Sequence, residues 1–236
     1  MRVRPIKTRI FTEGEDLFAF IRAHVPNIQD GSIVVITSKI VALAEGRTAV
    51  VRDKKTKELL IRSESELAIP TKWVWLTIRD GFVMPNAGID ESNADGKYIL
   101  LPKDSFATAQ AIRSRILRQY KIKNAGVLIT DSRTMPLRAG VSAVAIGYAG
   151  FKGIRDYRGK PDLFGKKFVY SRTNVADALA AAAIVEMGEG SEQQPLALIT
   201  NAPVEFATRV KRGETAIDLE DDMYRPLFRA APRRKK

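Results

Sequence analysis

Asp30-Gly-Ser-Ile-Val-Val-Ile-Thr-Ser-Lys39 carries four consecutive β-branched aliphatic residues behind an Asp-Gly turn signal. Such a run predicts a buried strand over Ser32–Thr37 that leads straight into Ser38-Lys39. Gly126-Val-Leu-Ile-Thr130 repeats the pattern and ends at Asp131, and Pro195-Leu-Ala-Leu-Ile-Thr200 supplies a third core strand. Helices are expected between them. Leu17–His24 follows the acidic Glu13-Gly-Glu-Asp16, and Asp104-Ser105 can cap a helix whose apolar face is Phe106, Ala109, Ile112, Ile116 and Tyr120. From Asn174, the alanine-rich Val175–Met187 is strongly helix-forming until Gly188 and Gly190 stop it. A hairpin is signalled where Trp73–Ile78 and Phe82–Met84 flank Arg79-Asp-Gly81. These elements alternate without a regular βαβ rhythm. The expected fold is therefore α+β, with mixed sheets, packed helices and room for two lobes. Residues 1–229 are read as one such unit and 230–236 as a basic C-terminal tail.

With 45% apolar residues over 236 positions, the chain can bury a substantial core. No apolar run approaches the roughly 20 residues that cross a bilayer, and the first residues lack the apolar block of a signal peptide. A cytoplasmic protein with no membrane partner is expected. There is no cysteine, and His24 is the single histidine, so any bound metal must be held by oxygen ligands. Lysine and arginine exceed the acidic residues by 39 to 27, a net charge of +12 that favours anionic partners. Lys54-Lys-Thr-Lys57 and the tail Arg233-Arg-Lys-Lys236 are short runs that read as solvated surface. Nucleotides and multi-carboxylate substrates account for the surplus as well as nucleic acid does.

Four stretches concentrate groups fit for chemistry. Pro85-Asn-Ala-Gly-Ile-Asp-Glu-Ser-Asn93 is either a loop whose Asx side chains satisfy its own backbone or a carboxylate, Asp90, that binds a hard cation beside an orienting amide. Ile129-Thr-Asp-Ser-Arg-Thr-Met-Pro-Leu-Arg138 places one acid at a strand end and two arginines after it. Asp131 can share a metal with Asp90, Ser132 can add a hydroxyl oxygen, and Arg133 or Arg138 can grip carboxylate or phosphate as planar forks. Gly147–Gly165 carries five glycines among charged and aromatic residues, where Asp156 and Arg158 form either part of a substrate lid or a structural ion pair. In Met187-Gly-Glu-Gly190, glycine N–H groups and Glu189 stand at a helix end that a simple C-cap would explain equally well. No Walker A or dinucleotide fingerprint is present.

Ser38-Lys39, Ala44-Glu-Gly-Arg47, Asn86–Asn93, Leu100-Leu-Pro-Lys-Asp104, Ile129-Thr-Asp-Ser132, Ala145-Ile-Gly147, Asp156-Tyr-Arg-Gly159 and Met187-Gly-Glu-Gly190 together resemble the coenzyme F-420-0:γ-glutamyl ligase family, in order, over roughly residues 8–200. The resemblance implies an enzyme that uses GTP (or ATP) and Mg2+ or Mn2+ to add L-glutamate to a deazaflavin coenzyme precursor, on an intertwined α+β homodimer. It implies Asp90 and Asp131 as ligands of one metal and Ser132 and Glu189 as contributors to a second. Thr8, Arg9, Ile10, Phe11, Ser38 and Asn93 are implied nucleotide contacts, with Gly188 and Gly190 offered beside them. Arg47, Arg138 and Arg158 are expected to orient substrate carboxylates. Two departures are visible: Leu43 stands where these ligases have a lysine, and Ser132–Arg138 replaces their Thr followed by Gly-Arg. Both variants are similar to a sister group proposed to extend the glutamate tail of folate, so a pterin acceptor of folate type is expected over the deazaflavin precursor, with the same glutamyl amide formed. Two readings from other classes compete: a basic nucleic-acid-binding protein without catalysis, and a metal-dependent nucleotide phosphatase using the same carboxylates.

Overall fold

The computed structural model describes residues 1–228; the expected basic tail lies outside the described residues. Its elements are β1 (Arg2–Ile6), α1 (Leu17–His24), β2 (Ser32–Thr37), α2 (Ser38–Ala44), β3 (Thr48–Ala49), α3 (Lys54–Ser63), β4 (Leu67–Pro70), β5 (Trp75–Arg79), β6 (Phe82–Pro85), β7 (Tyr98–Ile99), α4 (Ser105–Tyr120), β8 (Ala125–Thr134), β9 (Val141–Ala149), β10 (Ile154–Asp156), β11 (Arg172–Asn174), α5 (Val175–Met187), β12 (Leu196–Thr200) and α6 (Arg225–Phe228). The central sheet runs β1-β12-β2-β8-β9. Only β2 and β8 are parallel, paired from Ser32 with Ala125 to Thr37 with Thr130; the other three pairings are antiparallel. This is a mixed sheet and an α+β chain, as expected.

Alternation along β2 explains its composition. Val34 and Ile36 face a core built with Phe18 and Ile21 of α1, Ile40 and Val41 of α2, and Ile112 and Ile116 of α4. Ile33 and Val35 face the opposite core, against Leu179, Ala180 and Ala183 of α5. All four strand residues are fully buried, so the run is continuously aliphatic because both faces are covered. Alanines at 180 and 183 let α5 lie close to the sheet. On the other side, Gly147 of β9 admits α4: a Cβ there would stand 2.5 Å from the Ser105 backbone carbon.

Residues 48–101 build a smaller layer, the antiparallel sheet β4-β5-β6 and the β3–β7 pair. Its separate buried cluster contains Ile61, Ala87, Ile89 and Leu100. Lys54-Lys-Thr-Lys57, read above as a solvated run, is the first turn of α3, capped by Asp53 accepting from the Thr56 N–H at 2.8 Å. β5 begins at Trp75, two residues later than expected, because Thr71 closes a turn with its N–H on the Val74 carbonyl. After β6 the chain makes a short 3-10 turn at Asn86–Gly88 in which all three φ angles are positive: 51°, 57° and 72°. Left-handed backbone is costly at Asn86 and Ala87. It is held by the Trp75 N–H on Asn86 Oδ1 at 2.9 Å and the Ala87 N–H on Thr77 Oγ1 at 2.8 Å. Asp90 follows, bridged to Ile99 by backbone bonds. Among the described residues no helix is long and apolar enough to cross a membrane.

Candidate active site

Where β2 and β8 end side by side, four segments distant in sequence meet. Thr37 pairs with Thr130, so Ser38 and Asp131 emerge as neighbours, and the buried Ser38 hydroxyl donates to Asp131 Oδ1 at 2.6 Å. One residue further, Lys39 crosses to the second segment. Its ammonium lies 2.9 Å from Asp90 Oδ2 and donates to the Ser92 carbonyl at 2.8 Å. Ser92 completes an Asx turn, giving its N–H and its hydroxyl to Asp90 at 2.8 Å each. On the opposite face of β8, the Ser132 hydroxyl donates to Glu189 at 2.9 Å, just beyond the C-terminus of α5. Asn93 Nδ2 closes the ring by donating to the Gly190 carbonyl at 3.3 Å. The structure thus brings together Ser38, Asp90, Asn93, Asp131, Ser132, Glu189 and Gly190, which the sequence offers only as separate stretches.

Thr8 lies at the rim of this group, since its N–H donates to the Gln193 carbonyl at 2.9 Å. Arg9 pairs with Glu15 and lies over Phe20, Phe11 packs edge-on against Phe20, and Ile10 is exposed. Gly188 has φ 79°, and a Cβ there would collide with the Glu192 carboxylate. The same carboxylate accepts the Gly190 N–H at 2.8 Å, so that donor is already engaged.

The three arginines lie apart from the carboxylates. Arg47 donates to Glu64 at 2.6 Å and to the Leu101 carbonyl at 3.1 Å, within an ion-pair group that includes Arg79. Arg158 pairs with Asp156 two residues away at 2.6 Å, the structural ion pair weighed above. Arg138 is exposed in the turn between β8 and β9, with its N–H on the Met135 carbonyl.

Two cations hold the carboxylates of the site: Lys39 on Asp90 and Arg133 on Asp131. Lys39 follows Ser38 directly in the chain, and Arg133, expected to grip a substrate anion, instead engages a carboxylate of its own strand. Arg133 is 4% exposed, and its Nη1 donates to Asp131 Oδ2 and to the Ser132 carbonyl. Its Nε and Nη2 are buried without a hydrogen-bond partner.

Electrostatics follow from these contacts. Burial alone would raise Asp90, but the bonds from Lys39 and Ser92 outweigh it and hold the carboxyl below its ordinary range. Glu189 is raised, first by partial burial of its carboxyl and then by the charges of Asp131 and Asp90, against the lowering bond from Ser132. Asp177, near the start of α5, is raised by burial, and the Arg133 charge opposes that rise. The donors assembled here are carboxylate and hydroxyl oxygens, a hard set that fits Mg2+ or Mn2+. Among the described residues no three carboxylates close on one point, consistent with Lys39 and Arg133 lying on two of them.

The sequence profile of the F420-0:Gamma-glutamyl ligase family matches residues 5–201, which contain every residue of this site. The chain belongs to the F420-0:gamma-glutamyl ligase family. Among members of that family, the Coenzyme F420:L-glutamate ligase of Methanococcus maripaludis strain C7 is 33% identical over 217 residues, covering 84% of this chain and 86% of that protein. That of Methanocaldococcus jannaschii is 31% identical over 235 residues, 92% and 93% of the two chains, and that of Archaeoglobus fulgidus is 32% identical over 208 residues, 80% and 83%. Leu43, the departure from the family pattern, packs against the central core and against Ala42, Ala94 and Ile99. It therefore needs no polar partner.

Proposed function

We propose that this protein is a nucleoside-triphosphate- and metal-dependent ligase that forms an amide bond between L-glutamate and a carboxylate of a coenzyme F420-type acceptor. The observation that carries this reading is the meeting of Asp90, Asp131, Ser132 and Glu189 at the carboxyl end of the β2–β8 pair, the position where open α/β sheets bind ligands. Because amide formation from a free carboxylate is unfavourable, the acceptor carboxylate takes the terminal phosphoryl group: an O–P bond to the acceptor forms as the phosphoanhydride bond breaks. The glutamate amine then attacks the acyl carbon, loses a proton and expels phosphate.

Asp90 and Asp131 would hold one cation and Ser132 and Glu189 a second, whose chemistry is to neutralise the phosphoryl oxygens. Ser38, Asn93 and the Gly188–Gly190 turn border that place and, together with Thr8–Phe11, are assigned to the nucleotide. Arg138, exposed in the β8–β9 turn, is the arginine assigned to an acceptor carboxylate; Arg47 and Arg158 would first have to leave Glu64 and Asp156. A homodimer would cover the exposed Leu137, Leu163, Phe164 and Tyr170.

The test supplies purified protein, labelled glutamate, Mg2+ or Mn2+ and GTP or ATP to coenzyme F420-0 and, separately, to a reduced folate with one glutamate. The expected product is the F420 acceptor heavier by one glutamyl residue, lost in excess chelator. Extension of the folate alone would move the acceptor assignment to the reading kept open by Ser132–Arg138. Nucleotide hydrolysis indifferent to glutamate and acceptor would make the protein a phosphatase. Salt-sensitive, chelator-resistant binding of nucleic acid without turnover would favour the binding protein.

A further inference from the structure

Arg133 is an unusual neighbour for a carboxylate expected to bind metal. Its guanidinium is almost wholly buried, yet one nitrogen, Nη1, makes both of its hydrogen bonds, to Asp131 and to the Ser132 carbonyl. Nε and Nη2 have been taken from water and given no acceptor. Each such buried donor costs free energy that a fully paired arginine does not bear. The Phe82 ring, 5.8 Å from the guanidinium carbon, offers only a weak cation–π contact in compensation. Asp131 meanwhile already has both oxygens engaged, Oδ1 by Ser38 and Oδ2 by Arg133.

A divalent cation bound to Asp131 would stand within a few ångströms of this guanidinium, and repulsion between like charges at that range is strong where water is scarce. We propose that Arg133 is the resident counter-ion of Asp131 and that a divalent cation enters by displacing its guanidinium. Because two of its three nitrogens are unpaired where they stand, Arg133 gives up only the two bonds of Nη1 by leaving. Lys39 is the counterpart on Asp90, with a side chain 28% exposed. Arg133 is thus a positioning residue that keeps the metal-free site folded and sets how tightly it binds metal.

The inference rests on the metal reading above, and Mn2+ binding followed by the spectroscopic signal of the free aquo ion separates the two. Wild type should bind Mn2+, and Arg133→Gln should bind it at least about tenfold more tightly. In wild type, whose folding is not at issue, the Arg133 Nε–H resonance, assigned by its loss in Arg133→Lys, should move when Mg2+ saturates the site. Equal Mn2+ affinity in both proteins, or an Nε–H signal indifferent to Mg2+, overturns the displacement while leaving the metal site standing. If neither protein binds Mn2+, the metal reading fails and the displacement fails with it.

Discussion

Asp131 serves two masters, and a substitution there must be read with both in mind. Asp131→Asn removes the negative charge expected to act on phosphoryl transfer, but it also strips a buried guanidinium of its counter-ion. Breaking such a pair costs about 3 kcal/mol, so Asp131→Asn should both abolish turnover and lower the melting temperature. Adding Arg133→Gln to it should recover most of the lost stability and none of the activity; a double variant no more stable than Asp131→Asn would show that the pair is not coupled. At this scale the sequence was partly legible. Asp131 stands at the end of an obvious strand and Asp90 in a polar loop after a hairpin, so each was a visible candidate. Their partners were not: Ser38 and Asp131 are 93 residues apart, and no local pattern says that Lys39 turns toward Asp90 or that Arg133 folds back onto its own strand.

Elements were more readable, because caps and buried runs are local. α1, α4 and α5 begin at Asp16, Asp104 and Asn174, each with its side-chain oxygen accepting a first-turn N–H. β9 carries no local strand signal because Ser142 and Gly147 interrupt its apolar pattern; it exists as the antiparallel partner of β8, a long-range fact. The caps carry a pH signature. Asp16 is lowered mainly by the Ala19 N–H and Asp53 by the Thr56 N–H. A carboxyl depressed in the fold contributes stability that is present above its unfolded value, near 3.8, and lost as pH falls through its folded value. Helix content by circular dichroism should therefore begin to fall below about pH 4, and Asp16→Asn with Asp53→Asn, which keep the cap acceptors, should make that fall shallower while lowering the melt at pH 7 by the part of the stability that the charges supply. An unchanged acid slope would remove these caps from the account. The α4–β9 contact is tested by Gly147→Ala. The new methyl group would overlap the Ser105 backbone, which cannot rotate away, at a cost of ~2–3 kcal/mol or roughly 5–10 °C in melting temperature; a change under 1–2 °C would mean α4 shifts freely.

On the scale of the whole molecule, the residues of the candidate site belong to two differently built regions. Asp131 and Ser132 stand on a sheet covered on both faces and Ser38 begins the helix that follows its strand β2, whereas Asp90 and Asn93 hang from the smaller layer, whose buried cluster is four residues against twenty-five in the larger core. Asp90 reaches Lys39 only because the chain is thrown into a left-handed turn at Asn86–Gly88, pinned to β5 by two hydrogen bonds. That turn makes the hairpin a latch. When β5 and β6 part, Asn86 and Ala87 have no reason to keep positive φ, and relaxation of that backbone carries Asp90 away while β2 and β8 remain paired. Hydrogen exchange should accordingly show the amides of Trp75–Ile99 opening at lower free energy than those of Ser32–Thr37 and Gly126–Thr130. Ligase turnover should disappear at a denaturant concentration that leaves the central sheet intact, and return on dilution as fast as a hairpin recloses. Coincident loss of activity and of the sheet would instead mean that one cooperative unit carries both acids, and that the strained turn is a fixed part of the frame.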